Sequence, residues 1–482
     1  MTTFLSHRCG LANFIKNLIA FTMAAFSLAC PNVLLADDER SVEPAQSQEE
    51  LRGFLHDSTF SATLYYFQRY RDRLDVNRGD YGINLSHASG QLSLDFESGY
   101  AEDIIGVDFG IFGSMDFYND GSVDHEMNFF PWRNPWQPDW TQTKTKDAAS
   151  VYKALIKVKA GPAWARAGYF QPKGPGVLGV NWSFLPGTYQ GAEVGADFGP
   201  LSLAAAWANQ YKAPWFTRTY KFKKTDYSKS SDDPQRLRDV DYLWSAGARY
   251  EITDGLNVEL AYGESQDFLW NAHLKAKYNK PLGDNQNIYL TWQTYLMNDQ
   301  NGGHSIDDNF ASTAWQQYLA AAYDTGPWTF NLEFTYTKAP NDSPEHVGYF
   351  AYRLTRPSGG SKGAYEPWWD LRSDWNHHEE KAVFLKAGRK LDDLGLAGVK
   401  AAVSGAYGWG GKSWETSQKF KEAAYGIDLS YTVDQGLLEG AVFALHFTRY
   451  DNKTTFNSWD PFKNAFQDEH DIKFSLVIPL TK

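Results

Sequence analysis

Residues 328–338 read WTFNLEFTYTK, a stretch in which every second side chain is large and apolar. The apolar positions are Phe330, Leu332, Phe334 and Tyr336, and the intervening ones are Asn331, Glu333 and Thr335. Successive side chains of a β-strand point to opposite faces, so this pattern predicts a strand with one apolar and one polar face. The stretches centred on Leu260 and Leu429 repeat it.

The same alternation recurs along the chain and predicts eighteen strands. They cover residues 58–70, 83–97, 104–117, 148–160, 163–171, 190–198, 201–210, 240–252, 256–264, 272–281, 287–297, 314–325, 328–338, 380–391, 398–407, 422–433, 440–449 and 469–480. An even number of antiparallel strands with alternating long and short connections places both chain termini on the same side of the predicted barrel.

The predicted connections are of two kinds. Gly, Pro and Asp, which adopt turn conformations at low cost, form short turns at 161–162, 199–200, 254–255 and 326–327. Between them lie long polar connections, residues 118–147, 172–189, 211–239, 298–313, 339–379, 408–422 and 450–468. A soluble sandwich has no reason to place its long loops at one end, whereas a transmembrane β-barrel does.

Alternation alone does not decide whether the apolar face points inward or toward lipid. The chain of 482 residues is rich in aromatic side chains, with 31 Phe, 28 Tyr and 18 Trp, and it contains no apolar run long enough for a membrane helix. The aromatic strand ends, the loop asymmetry and an export signal together favour the membrane. We therefore predict an all-β fold, an 18-stranded antiparallel transmembrane β-barrel with long extracellular loops and short periplasmic turns.

The amino terminus has the features of a secretory signal. Arg8 and Lys16 precede an apolar stretch at residues 18–29, and small residues follow up to Ala36. A lipoprotein signal ending at Cys30 is the alternative. The predicted organisation is a signal peptide at residues 1–36, an acidic extension at 37–56 and a single barrel domain at 57–482. The predicted location is the bacterial outer membrane, which the chain crosses many times.

Charge and motifs exclude several classes of function. A net charge of −12 disfavours nucleic-acid binding. No H-E-x-x-H motif occurs, and we expect no enzyme activity, no cofactor and no metal site. His377-His378-Glu379 could in principle ligate a metal, but we interpret it as a solvated loop patch.

Strand parity places a set of charged side chains on the polar, inward face. Such charges set the electric field that a solute crosses, although any water-filled barrel needs a polar lining. The predicted inward residues are Asp95, Glu97, Asp108, Lys153, Lys157, Arg166, Arg249, Glu259, Lys275, Lys277, Glu333 and Asp428.

Tryptophans within the predicted loops are candidates for binding a solute. An indole face can stack on the apolar side of a sugar ring while polar neighbours bind the hydroxyls. The alternative is that these side chains lie in the membrane interface, where Trp and Tyr are enriched. The loop residues concerned are Trp132, Trp136, Trp140, Trp182 and Trp215.

Several stretches resemble a known family. They include YYFQRYRDRLDV (65–76), VYKALIKVKAGPAWARAGYFQP (151–172), WSFLPGTYQGAEVGADFG (182–199) and FQDEHDIKFSLVIPL (466–480). With these the chain resembles the OprD-type substrate-specific outer-membrane porins and, among them, the enterobacterial chitoporins. The resemblance implies a monomeric channel without a cofactor, narrowed by inward-folded loops. It also implies that the third loop, with Trp182 and Tyr189, contributes to the constriction.

The resulting prediction is a diffusion channel that takes up chito-oligosaccharides. The expected partners are these sugars, outer-membrane lipid and lipopolysaccharide, and the barrel-assembly machinery. One alternative is an OprD-type channel for small carboxylates, amino acids or peptides. Another is a receptor or adhesin whose lumen is closed.

Overall fold

A closed sheet of eighteen antiparallel strands makes up most of the described chain. The computed structural model describes residues 53–75, 78–121, 130–131, 145–180, 185–225, 229, 233, 235–300, 308–356, 360–454 and 461–481. The first strand pairs with both the second and the last, so the sheet closes into a barrel with no free edge. The predicted fold class is confirmed.

The barrel strands, numbered in chain order, match all eighteen predicted segments. They are β1 Thr59–Asp75, β2 Asp80–Glu97, β3 Ile105–Gly121, β4 Ala148–Ala160, β5 Ala163–Phe170, β6 Thr188–Phe198, β7 Leu201–Lys212, β8 Leu243–Thr253, β9 Leu256–Ser265, β10 Leu269–Gly283, β11 Gln286–Asp299, β12 Ala314–Thr325, β13 Trp328–Lys338, β14 Lys381–Lys390, β15 Val399–Ser413, β16 Thr416–Thr432, β17 Val442–Asn452 and β18 Glu469–Pro479.

A few short elements lie outside the barrel wall. Two further antiparallel strand pairs form in the connections, one from Phe130–Pro131 with Thr145–Lys146 and one from Tyr220–Thr225 with Leu237–Val240. A 3₁₀ helix spans Asp392–Leu394. Residues 53–56 form one helical turn. No helix in the described part of the chain is long and apolar enough to cross a membrane.

The apolar face of the sheet points outward. Leu332 of β13 and Leu260 of β9 expose 51% and 60% of their surface. Glu333, the neighbour of Leu332, instead accepts a hydrogen bond inside the barrel from a loop tryptophan, Trp369. Alternation alone left open whether the apolar face points inward or outward. The structure places it outward and the polar face inward, which is the arrangement of a barrel in lipid.

The connections at the two ends of the barrel differ in length. One predicted loop does not form. The long connections lie at one end, the loop end, and most of the short ones lie at the other, the turn end. The predicted long loop at 408–422 is wrong. β15 and β16 continue their pairing up to Ser413 and Thr416, so only residues 414–415 connect them. The polar residues of this segment belong to two strands that continue their backbone pairing beyond the barrel wall.

Two loops from the loop end fold into the barrel. L3 (residues 171–187) and L7 (residues 339–380) pair with each other where Leu178 meets Gly363. Val177 and Tyr352 from these loops join a large buried cluster with strand residues such as Tyr211 and Tyr295. The loops therefore form a packed core inside the barrel.

Small residues in the wall let L3 lie directly on it. A Cβ on Gly247 of β8 would stand 2.6 Å from the carbonyl oxygen of Pro175. A Cβ on Gly263 of β9 would collide with Val177. The Ser245 hydroxyl accepts a hydrogen bond of 2.8 Å from the backbone N–H of Val177. L3 thus needs this glycine-lined part of the wall.

The predicted signal peptide and most of the acidic extension lie outside the described residues. The boundaries at residues 36 and 56 therefore stay predictions.

Replacing Gly247 by Ala should displace L3 without opening the barrel. The added methyl group overpacks the Pro175 contact, which costs about 1–3 kcal/mol. We expect a lower unfolding temperature and altered single-channel conductance, with retained barrel folding measured by heat-modifiable gel mobility. The matched control is Gly405→Ala, because a Cβ there meets only the Ala424 carbonyl oxygen, at 3.7 Å. Equal behaviour of the two variants would contradict this prediction.

Candidate functional site

One carboxylate of L7 is held by three side chains of the barrel wall. Glu366 accepts from the ammonium groups of Lys275 at 2.8 Å and Lys277 at 2.7 Å. The side-chain amide of Gln293 donates to it at 2.6 Å. Lys275 also donates to the backbone carbonyl of Ala364, at 3.0 Å. We call this group the L7 anchor, since it fixes the middle of L7 to β10 and β11.

The charge state of the L7 anchor follows from its surroundings. Burial alone would raise the pKa of Glu366, but the neighbouring Lys275 and Lys277 ammonium groups outweigh it and lower the pKa to about 2. Glu366 is therefore ionised at neutral pH and carries the negative charge that the two lysines need.

The part of L7 that follows the L7 anchor is attached to other strands of the wall. The indole N–H of Trp369 donates to Glu333 at 2.6 Å, and its ring stacks on Phe384 with centroids 5.3 Å apart. The next residue, Asp370, forms an ion pair with Lys473 of β18. Its carbonyl oxygen lies 3.0 Å from Nε2 of His446. L7 is thus held by several strands of the barrel wall.

L3 is attached through a buried ion pair between β5 and β6. Nε of Arg166 donates to Glu193 at 2.7 Å. Glu193 also accepts backbone N–H groups of L3, from Lys173 at 3.0 Å and Gly174 at 2.9 Å. Arg166 and Glu193 therefore position the loop that narrows the barrel.

A second charged group lies on β2, β3 and β4. The Lys153 ammonium is 2.9 Å from Asp95 and 2.7 Å from Glu97, and Lys157 is 2.6 Å from Asp108. All five belong to the predicted inward set, and the structure brings them together. Glu97 remains half exposed, so this group presents a carboxylate to solvent.

Arg249 lies near the L7 anchor. Its guanidinium pairs with Glu259 at 2.6 Å, and Glu259 also accepts a hydrogen bond from Nε2 of His273 at 2.9 Å. Arg249 and Lys277 each leave 42% of the side chain exposed, so cationic groups remain accessible beside L7.

The structure describes only some of the predicted aromatic residues. Trp132, Trp136, Trp140 and Trp182 lie outside the described residues, so their contact with a solute stays a prediction. Tyr189 and Trp215 are a correction, because only 1% and 7% of their surfaces are exposed. The Tyr189 hydroxyl donates to the Lys362 carbonyl at 2.6 Å. These two side chains pack the loop core and do not face a passing solute.

Sequence reasoning missed Glu366, and it did not distinguish the exposed Trp368 from its neighbour Trp369. Trp368 exposes 39% of its surface, whereas Trp369 exposes 7%. The alternation of side chains along a strand identified Lys275 and Lys277 as inward residues. A loop has no regular alternation, so no pattern in the neighbouring sequence identified Glu366, the carboxylate that the two lysines bind. The only available signal was the Trp368-Trp369-Asp370 run within L7.

A closed barrel with an inward polar face and loops fixed across its interior can select solutes by size and charge. A family model described as outer membrane porin, OprD family, matches residues 52–464. The chain belongs to this family. As an OprD family porin it is an outer-membrane channel, and the predicted location is confirmed. The family points to a channel and not to an enzyme.

Individual relatives agree with this assignment. The chitoporin of Escherichia coli strain K12 is 37% identical over 457 residues, which cover 91% of this porin and 94% of the relative. The structure of OccAB1 from Acinetobacter baumannii has a TM-score of 0.70 at 18% identity, covering 89% of this chain and 97% of that one. OpdK from Pseudomonas aeruginosa, solved with vanillate, has a TM-score of 0.67 at 17% identity, covering 89% and 100%. At such low identity these two structures support the fold alone.

Replacing Glu366 by Gln should loosen L7. The amide cannot balance the charges of Lys275 and Lys277, so L7 loses its ionic attachment to β10 and β11. We expect several-fold more frequent conductance fluctuations in single-channel recordings. The control is Glu345→Gln, since Glu345 is an exposed L7 carboxylate whose contact is the Ser343 hydroxyl at 3.1 Å. If both variants record like the wild type, the L7 anchor does not hold the loop.

The L7 anchor also predicts a pH dependence. The pKa of Glu366 is lowered from 4.5 to about 2, so its ion pairs are fully formed above pH 4.5 and are lost as the pH falls toward 2. Conductance fluctuations of the wild type should therefore stay constant from pH 7 to pH 4.5 and increase below it. Glu366→Gln should not show this transition. A transition near pH 6 that survives in the variant would assign the effect to another group.

Proposed function

We propose that this porin is a channel for the uptake of chito-oligosaccharides. The observation that carries the proposal is the 37% identity to a chitoporin over 94% of that relative's length. An alignment of this length covers loops as well as strands, and loops determine what a porin admits.

The geometry of L7 supplies a mechanism for this substrate. Trp368 is exposed and directly precedes Trp369, which is fixed by Glu333 and Phe384. A fixed neighbour limits how far Trp368 can move, so its indole can serve as a surface for an N-acetylglucosamine ring. The charged and amide groups nearby can hydrogen-bond the hydroxyl and N-acetyl groups. Binding has to stay weak, because a tightly held sugar would block the flux.

The predicted site residues enter this proposal in two roles. Arg166 positions L3, whereas Glu97 and Arg249 keep part of their surface free to contact a solute. The tryptophans at 132, 136, 140 and 182 are proposed as further stacking surfaces. The proposal also includes a monomeric barrel, inserted by the barrel-assembly machinery among lipid and lipopolysaccharide.

A second candidate is a channel for small carboxylates. It is favoured by the exposed cationic groups of Arg249 and Lys277 beside L7. Each of them, however, is already paired with a glutamate, Glu259 and Glu366 respectively. This neutralisation leaves a weaker attraction for anions than two free cations would give, and we rank this candidate second.

Chitohexaose should block single channels in a planar bilayer in a concentration-dependent way, and maltohexaose should not. The two sugars have the same number of rings but differ in their N-acetyl groups and in the configuration of the linkage, so the comparison separates chitin-type sugars from other hexasaccharides. Channels that conduct but ignore both sugars would favour the carboxylate candidate, which vanillate or another small anion can then test. Absence of conductance would favour a receptor with a closed lumen.

Trp368→Ala should weaken the chitohexaose block by about tenfold, which corresponds to about 1.4 kcal/mol of lost binding free energy. The unblocked conductance should persist because Trp369 still attaches L7 to the wall. Trp414→Ala is the matched control, since Trp414 is similarly exposed but lies at the tip of the β15–β16 hairpin. An unchanged block in Trp368→Ala would show that the sugar stacks elsewhere.

A further inference from the structure

Three potential metal ligands meet where L7 returns to the barrel wall. His377 and Glu380 lie at the end of L7, and Glu422 faces them from β16. One ligand atom from each residue lies within 4.8 Å of the others. The exposed fractions are 1% for His377 and 0% for both glutamates. The interpretation of residues 377–379 as a solvated patch is therefore wrong for His377.

The two carboxylates are buried without a cationic side chain. Within the described residues, no lysine or arginine forms an ion pair with Glu380 or Glu422. Glu422 accepts hydrogen bonds from the hydroxyl groups of Ser373 at 2.8 Å and Tyr450 at 2.6 Å, neither of which carries a positive charge. Buried carboxylates are costly unless a positive charge balances them.

Another buried carboxylate, that of Glu469, is balanced by cationic side chains. Glu469 of β18 is equally buried, yet it pairs with Arg73 at 3.0 Å and with Arg372 at 2.6 Å. Two guanidinium groups thus balance the charge of the Glu469 carboxylate. In the described part of the chain, the two carboxylates beside His377 have no lysine or arginine partner, which indicates that a different cation balances them.

An unsatisfied atom points into the cluster. Oε1 of Glu380 is buried, and among the described residues no backbone N–H, hydroxyl or cationic group donates to it. A Cβ atom added to Gly408 would collide with this oxygen. The same Cβ position lies 3.1 Å from the Cγ atom of Glu422. The free oxygen therefore lies beside the Glu422 side chain, and Gly408 provides the room for it.

The donor set and its spacing suit a transition-metal ion. Nδ1 of His377 is 3.1 Å from Oε2 of Glu380, a separation compatible with two ligands that each lie about 2.0–2.2 Å from one ion. Imidazole with carboxylates is typical of Zn²⁺ and similar ions, whereas Ca²⁺ and Mg²⁺ prefer oxygen ligands alone. A divalent charge also balances the two carboxylates.

We propose that His377, Glu380 and Glu422 bind a divalent transition-metal ion such as Zn²⁺. Two ligands belong to L7 and the third belongs to β16, so the ion links the end of L7 to the wall. The same loop carries Glu366 and Trp369, and a fixed end restricts their movement. The site is thus structural, and it is independent of which solute the channel admits.

The test uses the full chain folded in detergent, treated with EDTA, dialysed and then titrated with ZnCl₂. Zinc content is measured by elemental analysis after removal of the unbound metal. We expect one equivalent in the wild type. Glu380→Gln and Glu422→Gln should bind more than about 100-fold more weakly, because even the loss of an outer partner of a ligand costs about 10–100-fold.

The matched control is Glu379→Gln. Glu379 is the adjacent residue of L7, but its carboxylate pairs with Lys412 at 2.5 Å and lies outside the cluster. It should retain one equivalent of zinc. Zinc binding by Glu380→Gln that equals the wild type would overturn the proposal.

A measurement on the wild type alone covers the case in which a variant does not fold. ZnCl₂ should raise the temperature at which the barrel loses its heat-modifiable gel mobility, and EDTA should reverse this rise. An identical transition temperature in both conditions, with no zinc retained, would mean that the two glutamates are balanced by protons and not by a metal.

Discussion

A lipid environment offers no partner to a free backbone amide or carbonyl, and this constraint underlies the whole structure. A sheet can meet it only by pairing its first strand with its last, as β1 and β18 do from Thr63 with Pro479 to Arg73 with Glu469. Closure leaves the wall with an outer face for apolar side chains and an inner face for polar ones. Everything that makes this barrel selective is then built on the inner face.

The inner face serves two purposes at once. Charged residues such as Lys275 and Glu333 hold L7, and the pair formed by Arg166 and Glu193 holds L3. Because most of these charges are engaged in ion pairs, the field in the lumen depends on the few that stay partly exposed, such as Arg249 and Lys277. The groups that shape the constriction and the groups that meet a solute are therefore largely different residues.

Much of the fold was predictable because its signal is local. Alternation at every second residue marked all eighteen strands, and parity alone placed Lys153 with Asp95 and Glu97 on one face. The error at residues 408–422 has the same origin. Polarity there indicated a loop, but two polar strands can continue their pairing once they leave the lipid, and no local pattern reveals this. Tyr189 and Trp215 were likewise recognised as aromatic loop residues, although their burial depends on what the loops pack against.

The sequence by itself determined the closed barrel, its two faces and the end at which its long loops lie, since strand period and turn residues act over a few neighbouring positions. Only the tertiary structure decided how the interior is narrowed. Glu366 meets Lys275 across 91 positions of the chain, and Tyr189 meets Lys362 across 173. Contacts at such separations depend on how loops fold back into a closed barrel, so a carboxylate in L7 acquires its partner only when the wall is already in place.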